Sequence, residues 1–168
     1  MNEEASYVKV RAHAHRTRYG APMVDEPDGT AAWAALLRAH AAVVPKLERR
    51  LAETGLPLSW YDVLLVLNSA PGKRLRMSEL GSRAVLSRER VSRVVTELER
   101  AGLTRREANP EDGRSSFAAV TPAGRTRLRQ VAPVYLSGIE EHFLRHLGTG
   151  DVRALVRALG RVVAAEEG

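Results

Sequence analysis

Between Thr30 and Leu51, Trp33, Leu36, Leu37, His40, Val43, Val44, Leu47 and Leu51 recur at spacings of three and four. That period predicts a helix with one apolar stripe, stopped by Gly55 and Pro57 and bent at Pro45, which lacks a backbone donor. A second helix is expected to start at a Ser59 cap, to bury Val63, Leu64, Val66 and Leu67, and to close at Pro71-Gly72. After an extended piece around 74–76, Ser78 reads as the cap of a short helix through Glu79, Leu80 and Arg83. Ser87 reads as the cap of the next, over 88–101. That fourth helix gathers Val91, Val94, Val95, Leu98 and Ala101 on one face, and Gly102 ends it.

The period then changes. Residues 103–108 and 116–121 read as two short strands joined by Asn109-Pro110-Glu111-Asp112-Gly113-Arg114-Ser115, a hairpin with a charged tip. Thr121-Pro122 is a helix start, with threonine as cap and proline where its missing donor costs nothing. The helix it opens is expected to reach about Leu147, bent near Pro133 and weakened at Gly138. A last helix over 151–165 carries Val152, Leu155, Val156, Leu159, Val162 and Val163. Residues 1–29, with weak alternation and then Pro22, Pro27 and Gly29, read as an arm. The fold class is therefore mainly α with a small β-hairpin.

Composition narrows the chemistry. The 168 residues contain no cysteine, which removes disulfides, thiolate zinc sites and thiol redox switches. No run reaches the length of a membrane span, and the start lacks the apolar core of a secretion signal, so a cytoplasmic location is expected. The net charge of +6 suits a polyanionic partner, and its distribution says more than its total. From Lys73 to Arg129 there are fourteen basic side chains against seven acidic ones, while the rest of the chain is almost neutral.

A capped short helix, a tight connection through Ala84 to Leu86, a second helix and a basic hairpin follow the order of a winged helix-turn-helix. Opposite the valines of the fourth helix stand Glu89, Ser92, Arg93, Thr96 and Arg100, so one face packs while the other suits a major groove. Ser87 and the free amides of the first turn suit a phosphate. Arg114 at the hairpin tip suits a minor groove, with Asp112 to hold the guanidinium or the turn. Alone, the helix is an ordinary amphipathic element and the hairpin an ordinary Asp-Gly turn. Their conjunction with the local charge excess favours nucleic-acid binding.

The run LSRERVSRVVTELERAGLTRREANPEDGRSSFAAVTPAG, from Leu86 to Gly124, resembles the signature stretch of the MarR (multiple antibiotic resistance regulator) family. Asp112 and Arg114 match its wing pattern, and Val120-Thr121 stands where the family closes with Leu-Thr. The resemblance, over roughly Thr30 to Ala165, implies a recognition helix at 87–101 with Arg88, Ser92, Arg93 and Thr96 towards DNA and Arg114 in the wing. It also implies a homodimer built from the first helix and the last two, reading a pseudo-palindromic operator. The apolar terminal helix independently supports this, since a small winged domain cannot cover it. The resulting division is an arm over 1–29, a dimerisation helix over 30–57, a winged helix-turn-helix over 58–121 and C-terminal dimerisation helices over 122–168.

The resemblance further implies a repressor tuned by a small aromatic or anionic effector, for which Trp33, His40, Trp60, Tyr61, Asp62 and Arg93 are candidates. Core packing is the plainer role for these aromatics. His142 and His146, four apart, have metal-ligand spacing on one helical face, yet two imidazoles rarely suffice, and no metal or other cofactor is expected. Nothing in the sequence suggests an enzyme. Two alternatives are an architectural DNA-binding protein with little sequence preference and a winged-helix protein-interaction module.

Overall fold

The computed structural model describes residues 29–84, 86–109 and 115–166, with the side chain of Arg88 outside the description. Contacts divide the chain into two compact units, Met1–Leu37 and Arg38–Gly168. The described part of the first is the opening of helix α1 (Gly29–Ala52), where Trp33, Leu36 and Leu37 are exposed. The second unit holds the rest of α1 and every later element. It runs α2 (Leu58–Ser69), a 3-10 turn (Pro71–Lys73), β1 (Arg74–Arg76), α3 (Met77–Arg83), α4 (Arg88–Arg100), β2 (Thr104–Ala108), β3 (Ser116–Val120), α5 (Pro122–His142), a 3-10 turn (Leu144–His146) and α6 (Thr149–Glu166).

The core of this unit lies where α2, α3 and α4 meet the sheet. Val63, Leu64 and Leu67 of α2, Leu80 of α3, and Val91, Val95 and Leu98 of α4 are essentially inaccessible to solvent. Leu51 joins them from α1, Leu75 from β1, Ala118 and Val120 from β3, and Leu128 and Val131 from α5. These are the positions that the helical and alternating periods turn inward. On α4 the β-branched valines lower helix propensity slightly, and their close packing offsets it.

The strands form one antiparallel sheet in the order β1-β3-β2. The sequence predicts the β2–β3 hairpin and an extended piece around 74–76 without assigning it a partner. In the structure β1 aligns with β3, Leu75 opposite Ala118 and Arg76 opposite Phe117. A three-residue strand is too short to show alternation convincingly, yet Leu75 is buried between two exposed arginines. Both arginines lie over the Phe117 ring, at 4.9 Å for Arg74 and 5.9 Å for Arg76, the geometry of cation–π contact.

Several helix ends depart from the sequence reading. Helix α2 starts at Leu58 rather than after a Ser59 cap, because Pro57 occupies the cap position and its carbonyl accepts from both Trp60 N and Tyr61 N at 3.0 Å. Ser78 is not a cap either. Pairing with β3 keeps Arg76 extended, and α3 begins directly at Met77. Helix α1 continues through Pro45. Helix α5 ends at His142, so His146 belongs to the following 3-10 turn and the two histidines do not share one α-helical face. Among the described residues no group of three or more His, Cys, Asp or Glu is placed to hold a metal. Gly138, inside α5, marks a close approach between helices: a Cβ there would lie 2.7 Å from Leu47 Cδ2.

Three boundaries match the sequence reading. Ser87 Oγ accepts from Arg90 N at 3.3 Å at the start of α4, and Gly102, with φ of 71°, terminates it in the left-handed region. At the start of α5, Thr121 Oγ1 accepts from Gly124 N at 3.0 Å and itself donates to Gly102 O at 2.8 Å. The threonine thus ties the end of α4 to the beginning of α5.

Candidate nucleic-acid interface

Helix α4 buries its valines and turns the remaining side chains outward. Glu89, Ser92, Arg93, Thr96, Glu97 and Arg100 line an open groove along this outer face. Glu89, Ser92, Arg93 and Arg100 are exposed, whereas Thr96 and Glu97 are half-buried. The Arg88 backbone forms the first turn of α4, and Ser87 caps it. Asp112 and Arg114, the expected wing residues, lie outside the described residues.

The outer face is not uniformly available. Arg106, on β2, reaches across to α4 and donates to Glu99 Oε2 at 2.7 Å, to Thr96 Oγ1 at 3.1 Å and to the Ser92 carbonyl at 3.4 Å. Thr96 Oγ1 in turn donates to the Ser92 carbonyl at 2.9 Å. Its hydroxyl is therefore engaged as donor and acceptor inside the protein, which leaves it less suited to reading a base than sequence position suggests. From the other side, Trp60 Nε1 donates to Glu97 Oε2 at 3.0 Å. These two clamps join α4 to β2 and to α2. Neither was visible in the sequence, because 96, 99 and 106 share no simple period and an indole donor does not announce its acceptor.

The strand face next to the clamp is braced by charge. Glu107 Oε2 accepts from Arg74 at 3.0 Å across the sheet, and Glu107 Oε1 pairs with Arg105 at 2.6 Å. The hydrogen bond from Arg74, with Arg105 adding to it, holds the Glu107 carboxyl below its usual range. At the Ala108–Ser116 end of the hairpin Asn109 is buried, its Nδ2 donating to Ser115 Oγ at 2.8 Å, which ties β2 to β3 at that end of the sheet.

The residues considered for an effector are dispersed in character. Trp33, in the first unit, is 61% exposed, and His40 is exposed on α1. Tyr61 is buried in the core with its ring 4.5 Å from that of Tyr135. Trp60 is packed against the core and bonded to Glu97. Asp62 is half-buried, and loss of solvent pushes its carboxyl up to about 6. Tyr61 is thus a core residue, Trp60 links α2 to α4 beside the half-buried Asp62, and Arg93 belongs to the outer face of α4.

Comparison with known proteins places this arrangement. The model of the MarR family matches residues 54–115, the stretch from just after α1 to just before β3. An HTH-type transcriptional repressor of Mycobacterium tuberculosis is 31% identical over 127 residues, covering 76% of this chain and 89% of the relative. Among solved structures, AbsC, a MarR family transcriptional regulator from Streptomyces coelicolor, superposes with a TM-score of 0.74 at 31% identity, covering 86% of this chain and 99% of the other. A second MarR regulator from that organism, solved in complex with DNA, gives a TM-score of 0.74 at 31% identity over 83% of this chain and 90% of its own. The relatives are transcriptional regulators and not enzymes. With the winged helix-turn-helix in place and these matches along most of its length, the chain belongs to the MarR family of transcriptional regulators.

Proposed function

We propose that this protein is a cytoplasmic, homodimeric repressor that reads a pseudo-palindromic operator with α4 in the major groove. The observation that carries this is the division of α4 into a buried valine face and an outer face presenting Ser92, Arg93 and Arg100. The repressor relative in Mycobacterium tuberculosis and the DNA complex of the Streptomyces coelicolor regulator support it. Arg88, Ser92 and Arg93 face the bases in this reading, while Ser87 and the amides of the first turn hold a phosphate. Arg114 enters the adjoining minor groove, Asp112 supports the wing turn, and Thr96 acts by fixing the helix to Arg106.

Dimerisation supplies the second recognition helix. Helix α6 has no buried residue, and Val156, Val162 and Val163 are 71%, 59% and 53% exposed, a face that a second copy covers. The dimer region in this reading comprises 30–57 and 122–168, flanking the DNA-binding region 58–121. An effector belongs to the same proposal in a narrower form. Asp62 and Trp60 are its best-placed candidates, because a carboxyl that holds its proton up to about pH 6 hydrogen-bonds a phenol or a protonated acid, and Trp60 is bonded to α4 through Glu97.

The test is a fluorescence-anisotropy titration against the protein's own upstream region at roughly 150 mM salt, with unrelated DNA as competitor. Two chains per site and resistance to competitor are expected. Equal loss to any DNA would mean an architectural binder, and no binding would point to a protein-interaction module.

A further inference from the structure

Helix α4 carries three glutamates, and the structure treats them differently. Glu97 accepts the Trp60 indole N–H, and Glu99 is held by Arg106. Glu89 is exposed and makes no hydrogen bond or ion pair with the described residues, although Arg93 stands four residues on, where a salt bridge commonly forms. Both groups are left open in the groove of the outer face, beside Ser92 and Arg100. A carboxylate with no partner among the described residues, on a face that approaches DNA, is unfavourable in general, since the duplex carries about one negative charge per 1.7 Å of its axis. Only one kind of base offers it compensation without ambiguity in the major groove. Cytosine presents a lone N4 amino donor there, and carboxylates accept from it.

We propose that Glu89 is a specificity-determining residue that accepts from the N4 amino group of a cytosine in each half-site. This rests on the reading of α4 as the groove helix. Four residues of helix rise about 6 Å, close to two base-pair steps of about 3.4 Å, so the cytosine lies within about two base pairs of the base that Arg93 contacts. Arg93 presents a fork of donors suited to guanine O6 and N7. The mixed pair thus reads a short G·C-containing block, with the carboxylate discriminating against sequences where it would meet only acceptors. The simpler role for Glu89 is a favourable charge in the first turn of a helix, which affects stability and not base choice.

Selection from DNA with randomised half-sites decides between them, using the full chain as wild type, Glu89→Ala, Glu89→Gln and Arg93→Ala, with thermal melting of each. Wild type is expected to enrich cytosine at one position per half-site. Glu89→Ala should reduce that preference roughly tenfold, and Glu89→Gln should move it towards adenine, whose N6 and N7 match an amide. Binding of both variants to unrelated DNA should hold or increase, because a negative charge has gone. Base preferences unchanged in Glu89→Ala, with only the melting temperature altered, would overturn the inference. A motif degraded by Arg93→Ala but not by Glu89→Ala would do the same while leaving the groove reading intact. Failure of wild type to enrich any motif would overturn both.

Discussion

Arg106 turns its guanidinium towards α4, where the planar fork meets a carboxylate, a hydroxyl and a carbonyl at once. Each contact is partly exposed, so the cluster adds little to stability, on the order of 1 kcal/mol or less. Its effect is geometric, since it fixes the angle between β2 and the outer face of α4. Arg106→Ala should therefore weaken operator binding about three- to tenfold in anisotropy titrations with little change in melting temperature. Arg106→Lys keeps the charge and loses the fork, so it should behave like the alanine variant. If lysine instead restores full affinity, Arg106 acts merely as a positive charge near phosphate. Asp62 makes the opposite case, a group that costs stability. Its carboxyl titrates near 6 when folded against 3.8 in the open chain, so the folded state binds more protons between those values. Stability accordingly falls as pH rises from 3.8 to about 6 and is flat beyond. Asp62→Asn should melt with the wild type at pH 4 and above it at pH 7.5. Equal melting temperatures at both pH values would show that Asp62 remains well solvated.

At the scale of elements, the junction between α4, the sheet and α5 is set by backbone proximity. A Cβ on Gly124 would lie 2.1 Å from Leu103 O and 2.8 Å from Val120 Cγ2, and the first of these neighbours is backbone that cannot swing aside. Gly124→Ala should destabilise the fold by about 2–3 kcal/mol in urea unfolding, the upper range for overpacking, and a neutral result would mean that α5 shifts freely against the sheet. No rule of sequence reading anticipates this, because Gly124 sits in the first turn of a helix where glycine has no conformational task. What the sequence did make legible were features with a local cause. The valine period of α4, its Ser87 cap, the Gly102 stop and the Thr121-Pro122 start all appear where the residues put them. The errors fell where a distant partner decides. Strand β1 exists because β3 pairs with it, and α3 starts at Met77 because that pairing holds Arg76 extended; the start of α2 was the exception, a local choice in which Pro57 takes the cap position ahead of Ser59. The outer face of α4 followed from its period, whereas the engagement of Thr96 by Arg106 depends on how the hairpin folds back.

Across the whole molecule, charge and apolar exposure are segregated along the chain. The basic excess is confined to Lys73–Arg129, and α6 beyond it combines an apolar face with no buried residue. Val156, Leu159 and Val163 recur at spacings of three and four, and they are 71%, 39% and 53% exposed. Fully burying side chains of this kind contributes roughly 1.5–3 kcal/mol each, enough in sum to drive association if a second copy covers them. Association matters to DNA binding through geometry, since two recognition helices on a two-fold axis engage half-sites about 10 base pairs apart. The second helix then binds as an intramolecular event at high effective concentration. A double substitution, Val156→Glu with Val163→Glu, places like charges on the proposed interface without touching the core of α2, α3 and α4. Light scattering should report a particle of 18.4 kDa in place of one twice that mass. Far-UV circular dichroism should retain most of its helical signal, and operator affinity should drop by about a hundredfold or more as the linked second contact is lost. A double variant that still sediments as a dimer would move the interface off α6. A monomer that keeps full operator affinity would mean that one chain reads its site alone.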